Sequence, residues 1–291
     1  TNYKYAAIRY NTPVMESTRI SVVIPTYKRP QKVERAVNSV LDQTFPDFEI
    51  IVVNDDPETE VRNVLPDDNR IRCIQHEQNR GAPVARNTGI KAANGRYVAL
   101  LDDDDMWKPE KLAKQINKFN SLDDSFGLVY TGSDHIYNGK LVNRDIPSKE
   151  GDLYGVLLGQ NFIPSESPLI KKECFERVGL FDPNFPSCQD MDMWIRIAQE
   201  FKIGVVEESL AVSYLGHDDR ISDDYEKKYR GHKRLIEKHG RGMRANQSAL
   251  AQQRRKVGLY AIGTGRNREG VNQLWQSFKH NPSNWPLILY I

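Results

Sequence analysis

Four consecutive carboxylates, Asp102-Asp103-Asp104-Asp105, close the apolar run Tyr97-Val98-Ala99-Leu100-Leu101. Each ionised carboxylate raises the cost of ionising its neighbours, so the cluster is unfavourable on its own. A hard cation removes that cost: divalent ions take oxygen ligands, and Mg²⁺ is usually held by one or two carboxylates together with phosphate oxygens. Position matters as well, because open α/β sheets bind ligands outside the carboxyl ends of their strands. The run before the aspartates has the residues of a buried parallel strand. A solvated acidic turn, capping a helix that starts at Trp107-Lys108-Pro109-Glu110, accounts for the same four residues equally well.

What stands beside the cluster separates the two readings. The first half of the chain alternates strand and helix signals. A β-rich run at 20–24 closes at Pro25, and 30–43 follows with Val33, Ala36, Val37, Val40 and Leu41 on one helical face. Residues 50–53 form a second buried-type strand, ending in Asn54-Asp55-Asp56-Pro57. A weaker strand at 71–74, a helix at 83–93, a strand at 97–101 and a helix at 109–119 complete the series. Such alternation predicts an α/β fold with a mostly parallel sheet flanked by helices. Three strand ends, at Thr26-Tyr27, at Asn54-Asp55-Asp56 and at Asp102 to Asp105, then meet on one sheet edge, which favours a binding site over a cap. The second half is less regular: a strand at 128–130, helices at 171–178 and 190–200, and short strands at 205–206 and 210–212. Helices at 229–238, 247–262 and 269–278 form a C-terminal helical appendage.

With 39% hydrophobic and 27% charged residues in 291, the chain has the composition of a soluble globular protein. It has no apolar run of the ~18–20 residues that span a bilayer. The polar start, 1–19, has no leader-like apolar stretch. Cys73, Cys174 and Cys188 are odd in number and far apart, which argues against a zinc site or disulfide framework and predicts a reducing, cytoplasmic setting. The net charge of +2 hides an asymmetry: residues 225–291 hold 14 Lys and Arg against 3 Asp and Glu, so the rest of the chain is acidic. A basic tail seeks an anionic partner. Few aromatics interleave with its cations, which argues against nucleic acid. The apolar, aromatic ending Trp285-Pro286-Leu287-Ile288-Leu289-Tyr290-Ile291 predicts either peripheral contact with the inner face of an anionic membrane or packing on the body. That abrupt ending also suggests a chain that continues.

In this order the segments resemble the family 2 glycosyltransferases, which have the GT-A fold. The likeness runs through Val23-Ile24-Pro25-Thr26-Tyr27-Lys28-Arg29, Ser39-Val40-Leu41-Asp42-Gln43-Thr44 and Glu49-Ile50-Ile51-Val52-Val53-Asn54-Asp55. It continues through Asn79-Arg80-Gly81 with Ala85-Arg86-Asn87, Leu101 to Asp105 with Pro109, and Gln189-Asp190-Met191-Asp192-Met193-Trp194-Ile195-Arg196. The organisation this implies is a polar extension at 1–19 and a transferase domain at 20–222, with a nucleotide-binding half at 20–105 and an acceptor half at 106–222. A basic helical region at 223–291 follows.

The resemblance also implies the chemistry: inverting transfer from a nucleotide-diphosphate sugar, a UDP-sugar first, to a glycan or lipid-linked hydroxyl, with Mn²⁺ or Mg²⁺. Pro25, Thr26, Tyr27 and Arg29 match the loop against the nucleotide. Asp55 matches the acid that accepts from the base, with a turn-forming role before Pro57 as its alternative. Arg86 matches a basic residue near the nucleotide, or is a surface helix charge. Asp104 is expected on the metal, Asp102 on the metal's water or the ribose, Asp103 beside the donor, and Asp105 in support or as a helix cap. His217 matches a histidine that reaches the metal or diphosphate, unless it is merely a solvated loop residue. Trp107 is expected in the core beneath the acidic loop. Asp190 is the expected base; Gln189 stands where many relatives have Glu, which leaves Asp192 as a competitor. A nucleotidyltransferase would carry a glycine-rich loop after the first strand, which Pro25 to Arg29 lacks. An inactive, carbohydrate-binding relative is the remaining alternative.

Overall fold

A computed structural model describes residues 20–216 and 224–282. Its centre is a nine-stranded sheet. The parallel half comprises β1 (Ile20–Thr26), β2 (Phe48–Asn54), β3 (Ile71–Gln75) and β4 (Tyr97–Leu100), joined by α1 (Pro30–Leu41) between the first two strands and α2 (Ala82–Ala92) between the last two. These strands lie in the order β3-β2-β1-β4. The chain winds outward from β1 to β3 and then returns to the other side of β1. The switch point therefore lies between β1 and β4, where crevices open at strand carboxyl ends.

Alternation along the strands builds both faces. Val23, Ile51, Val53, Val98 and Leu100 pack into one core, and Val22, Ile24, Ile50, Val52 and Ala99 into the other. Helix α2 lies close on the sheet at Gly89, where an added Cβ would sit 2.3 Å from Val23 Cγ1.

Beyond β4 the sheet becomes mixed. After the acidic loop come β5 (Met106–Trp107), α3 (Lys111–Asn120), β6 (Phe126–Tyr137), β7 (Lys140–Arg144), α4 (Tyr154–Leu157), β8 (Leu169–Lys171), α5 (Lys172–Val178), α6 (Gln189–Glu200) and β9 (Lys202–Leu215). Strand β8 is antiparallel to both β4 and β6, β9 runs parallel to β6, and β5 pairs antiparallel with β9. The acidic loop is thus pinned at both ends, by β4 before it and β5 after it.

β5, β7, β8 and α4 have no counterpart in the sequence reading, β6 extends well beyond 128–130, and two further elements differ from it. Residues 205–206 and 210–212 are one long strand, β9, because its backbone keeps pairing with β6 through register shifts while Glu207 and Glu208 point to solvent. The helix expected at 229–238 extends over Tyr225–Ala245 as α7. Gly240 and Gly242 weaken helix propensity there, but an added Cβ on Gly242 would sit 2.2 Å from Tyr154 Oη, so close packing accounts for that glycine. Helices α8 (Gln247–Gly263) and α9 (Asn267–His280) follow; Asn246 caps α8 by accepting from Ala249 N–H at 3.1 Å. The N-terminal 1–19, His217 and the apolar ending lie outside the described residues.

Candidate active site

The three polar strand ends do meet. Asp55 N–H donates to Thr26 O at 2.8 Å, and Leu101 N–H to Val23 O at 3.1 Å, so the edge stays paired past the strands. They form one side of a cavity of about 920 Å³, lined on that side by Pro25, Thr26, Tyr27, Arg29, Asp55, Arg86 and all four aspartates. That volume is at the upper end for small-molecule sites, ~300–1,000 Å³.

Every aspartate of the cluster has its own partners. Asp103 accepts from Thr26 Oγ1 at 2.7 Å, and Arg29 Nη1 reaches Asp103 Oδ1 at 3.2 Å and Asp104 Oδ2 at 3.0 Å. Arg86 Nη2 donates to Asp102 Oδ1 at 2.5 Å, while Ser165 Oγ donates to its other oxygen at 2.9 Å. Asp105 lies deepest, accepting from Tyr214 N–H at 3.2 Å rather than capping a helix. Burial pushes Asp103 up to about 6, against the Thr26 hydrogen bond and with the charge of Asp104. Burial and the charges of Glu166, Asp102 and Asp104 push Asp105 well above the carboxylate range. The loop is short of positive charge.

Among the described residues no three His, Cys, Asp or Glu are gathered as a ready-made metal cage. The donor set nonetheless fits a hard divalent cation held jointly with phosphate oxygens, which asks the protein for only one or two carboxylates. Arg29 already bridges two of the carboxylates as a cation would. Trp107 is buried beneath the loop, its indole N–H bonded to Glu166 O at 2.8 Å.

Asp55 lines the cavity but is also a structural acceptor. Its Oδ1 takes the Arg80 N–H at 2.9 Å and lies 2.7 Å from His76 Nδ1, and its Oδ2 takes the Gly81 N–H at 2.7 Å. The Gly81 backbone sits at φ 85°, a region that glycine enters freely. Asp55 thereby fixes the turn that launches α2, and with it Arg86. No spacing pointed to His76, whose other nitrogen lies 3.0 Å from Thr88 Oγ1.

Across the cavity, Cys188 takes the left-handed conformation (φ 62°) and starts α6. Asp190, in its first turn, accepts from Asn161 Nδ2 at 2.7 Å. Its pKa is raised by burial, against the hydrogen bonds of Met191 N–H and Asn161 and the charge of Arg86. Arg86 joins the two sides: its Nη1 donates to Gln189 Oε1 at 3.0 Å while its Nη2 holds Asp102. Asp192 points away into the core. It is fully buried and contacts Arg196 Nε (3.0 Å), Lys238 Nζ (3.0 Å) and His239 Nε2 (2.8 Å). Against its burial, the His239 hydrogen bond and the Arg196 and Lys238 charges hold its pKa low.

Residues 21–178 match the family described as Glycosyl transferase family 2. The chain is a family 2 glycosyltransferase. A putative teichuronic acid biosynthesis glycosyltransferase, TuaG of Bacillus subtilis (strain 168), is 33% identical over 186 residues, covering 62% of this chain and 72% of that one. An uncharacterized glycosyltransferase of Rickettsia felis is 31% identical over 212 residues, which are 70% of this chain and only 35% of that longer protein. Among solved structures, S. aureus TarS 1-349 in complex with UDP-GlcNAc has a TM-score of 0.58 at 16% identity, covering 91% of this chain and 92% of that one. The mannosyltransferase PcManGT from Pyrobaculum calidifontis, in complex with GDP-Man and Mn2+, has a TM-score of 0.61 at 16% identity, covering 94% and 89%. These likenesses establish the GT-A fold for the chain.

The cavity also holds residues that the sequence did not offer. Asn161, Ser165 and Glu166 come from a stretch with no readable pattern, and Lys227, Lys228, His232, Lys256 and Tyr260 come from α7 and α8. The last four did carry a signal: Lys228 with His232, and Lys256 with Tyr260, are i, i+4 pairs that share a helical face. The close approach of α7 depends on Gly231, where an added Cβ would sit 2.7 Å from Ser187 O.

His232 has a pH consequence. Burial first, and then the nearby Lys256 and Lys228, bring its pKa down to about 4 against the Gln253 hydrogen bond. The unfolded chain takes up that proton near its ordinary pKa of ~6.5, so between about pH 6.5 and 4 the unfolded state binds more protons and stability falls as pH falls. The expected loss is about 3 kcal/mol across that window. Denaturant melts of His232→Gln should show a flatter pH profile; an unchanged slope would remove this assignment.

Proposed function

We propose that the chain catalyses inverting transfer of a sugar from a nucleoside diphosphate sugar, a UDP-sugar first, to a hydroxyl of a glycan or lipid-linked acceptor. The observation that carries the proposal is the placement of Asp190, with its raised pKa, in the same cavity as Asp102, Asp103 and Asp104 and joined to them through Arg86. In the proposed reaction the acceptor oxygen attacks the anomeric carbon as its proton passes to Asp190. The bond from that carbon to the diphosphate oxygen breaks, and its electron pair leaves with the nucleoside diphosphate. One carboxylate at the acceptor face suffices for inversion, whereas retention through a covalent intermediate uses a nucleophile.

Thr26, Tyr27, Arg29 and Asp55 are proposed to receive the nucleotide, and Arg86 to steady Asp102 and the start of α6 together. Asp104 and Asp102, with His217, would hold a divalent cation, Mn²⁺ or Mg²⁺. A bound cation would offset the charge that gathers on the leaving diphosphate. The mannosyltransferase solved with GDP-Man and Mn2+ supports both the cation and the donor class, and TarS solved with UDP-GlcNAc supports UDP. The proposed domain plan keeps 20–222 as the transferase unit and 223–291 as a basic helical region that closes the cavity.

Thermal melts against a panel of UDP- and GDP-sugars, with and without Mn²⁺, test this reading. A UDP-sugar at a hundredfold excess over its Kd should stabilise the fold by about 2.7 kcal/mol when the metal is present. No response to any nucleotide would overturn the proposal. Asp104→Asn is expected to abolish the metal-dependent part of that stabilisation and to cut transfer about a hundredfold or more.

A cytoplasmic location with peripheral membrane contact through 225–291 is also proposed. Among the described residues no helix is long and apolar enough to cross a membrane. Val271 and Trp275 lie exposed four residues apart on α9 with Lys279 beside the Trp275 ring, a pairing that suits an anionic interface. Co-sedimentation with phosphatidylglycerol vesicles should fall in Trp275→Ser.

A further inference from the structure

The cavity is acidic at its donor end and basic on the wall formed by α7 and α8. Arg29 and Arg86 are engaged with the aspartates, whereas among the described residues Lys228 and Lys256 of the wall make no ion pair with a carboxylate. Among the described residues Lys256 has no carboxylate in ion-pair contact, and Lys228 rests only over the rings of Tyr225 and Tyr260, at 5.8 and 5.4 Å. Lys227 is the exception, 3.6 Å from the helix-capping Asp224. His232 stacks on Tyr260 with centroids 5.5 Å apart, so these side chains form one packed surface rather than separate solvated tips.

This surface belongs to the acceptor end. Lys256 is half-buried and lies within reach of the charge of Asp190, and Cys188, which shares the cavity wall with it, immediately precedes the helix that carries Asp190. Burial lowers its pKa, so part of the cost of dehydrating an ammonium is already met in the fold. Lys228 and Lys256, gathered in one half-buried wall and, among the described residues, without a carboxylate in ion-pair contact, repel one another, and an anion seated between them relieves that repulsion.

We infer that the acceptor is itself anionic, carrying a phosphate or carboxylate close to the attacking hydroxyl, and that Lys228 and Lys256 hold that anion while Tyr260 lies against the sugar. The inference rests on Asp190 marking the acceptor end of the cavity. Two i, i+4 pairs on neighbouring helices, turned into the same cavity, give the anion a site whose geometry the fold has already set.

The test uses the nucleotide sugar that stabilises the protein, with Mn²⁺, and follows nucleoside diphosphate release with four acceptors. These are methyl glucoside, methyl glucuronide, glucose 1-phosphate, and glucose linked through phosphate to a polyprenol in phosphatidylcholine vesicles. Anionic acceptors should exceed methyl glucoside at least tenfold in kcat/KM, mainly through KM, and the advantage should shrink as salt rises. In Lys228→Gln/Lys256→Gln the advantage should fall below twofold while UDP affinity is kept. Use of the polyprenol-linked acceptor alone would place the anion on a lipid carrier, and equal use of glucose 1-phosphate would place it on a soluble glycan. Methyl glucoside transferred as fast as the anionic acceptors would overturn the inference, and so would a tenfold loss of UDP affinity in the variant, which would assign the lysines to the donor. If no nucleotide sugar binds the unaltered protein, the transferase proposal fails instead. Should the double variant misfold by circular dichroism, Lys228→Gln alone carries the comparison.

Discussion

Replacing Asp190 by Asn is expected to lower sugar transfer by about 10³-fold and leave nucleotide binding nearly unchanged, within the ~10²–10⁴ range of a lost general base. The substitution is close to isosteric. The new amide oxygen can still accept from Asn161 Nδ2, which now reaches Asp190 Oδ2 at 2.7 Å, so the start of α6 should hold its shape. What disappears is the capacity to take a proton. The direction of its pKa fits the role: burial makes Asp190 a stronger base than a solvated carboxylate. Rates of nucleoside diphosphate release, with UDP affinity by calorimetry as the control, decide the matter. Undiminished turnover would move the base elsewhere.

Asp192→Ala should give the opposite pattern. The two residues are neighbours in a single helical turn, yet Asp192 faces Arg196, Lys238 and His239 in the core and does not line the cavity. Removing Asp192 takes away the carboxylate that His239 contacts, while Arg196 keeps the Val178, Gly179 and Leu180 carbonyls and Lys238 keeps Asp182, so the cost is at the low end for a broken buried charge network, about 3 kcal/mol. For a chain of this size that is a fall in Tm of about 10 °C. The pH dependence has a definite sign. Asp192 has a depressed pKa in the folded state, so its contribution is present above the unfolded carboxylate pKa of ~4 and fades as pH falls below it. The gap in Tm between the variant and the unaltered protein should therefore be narrower at pH 3 than at pH 7. A destabilisation under about 1 kcal/mol, or lost turnover at full Tm, would contradict the division of labour between the two aspartates.

The parallel half of the fold was readable because its signals are local. Strands buried on both faces need near-continuous apolar runs, and each run here ends in a polar cluster at the edge where ligands bind. The strand order β3-β2-β1-β4, by contrast, is a long-range pairing that these local signals do not carry. The second half was less legible because its pairings are long-range. Strand β9 continues through Glu207 and Glu208 only because β6 lies alongside, and the stretch that supplies Asn161, Ser165 and Glu166 gains its meaning from lying across from the aspartates. His76 was invisible for a similar reason: its partner Asp55 is twenty-one residues away.

The sequence by itself determined that four aspartates follow a buried strand, that Thr26 and Asp55 share their edge, and that the chain resembles a family of sugar transferases. These depend on residue type and short-range periodicity, which one dimension carries. Only the tertiary structure decided that Asp192 faces the core and Asp190 the cavity, because a helix turns by about 100° per residue, which sets these two about 200° apart, and packing settles which face is buried. It also decided that part of the basic tail turns inward. Charge composition records how many lysines α7 and α8 carry, but the packing of those helices, with Gly231 against Ser187, places Lys228 and Lys256 at the cavity wall.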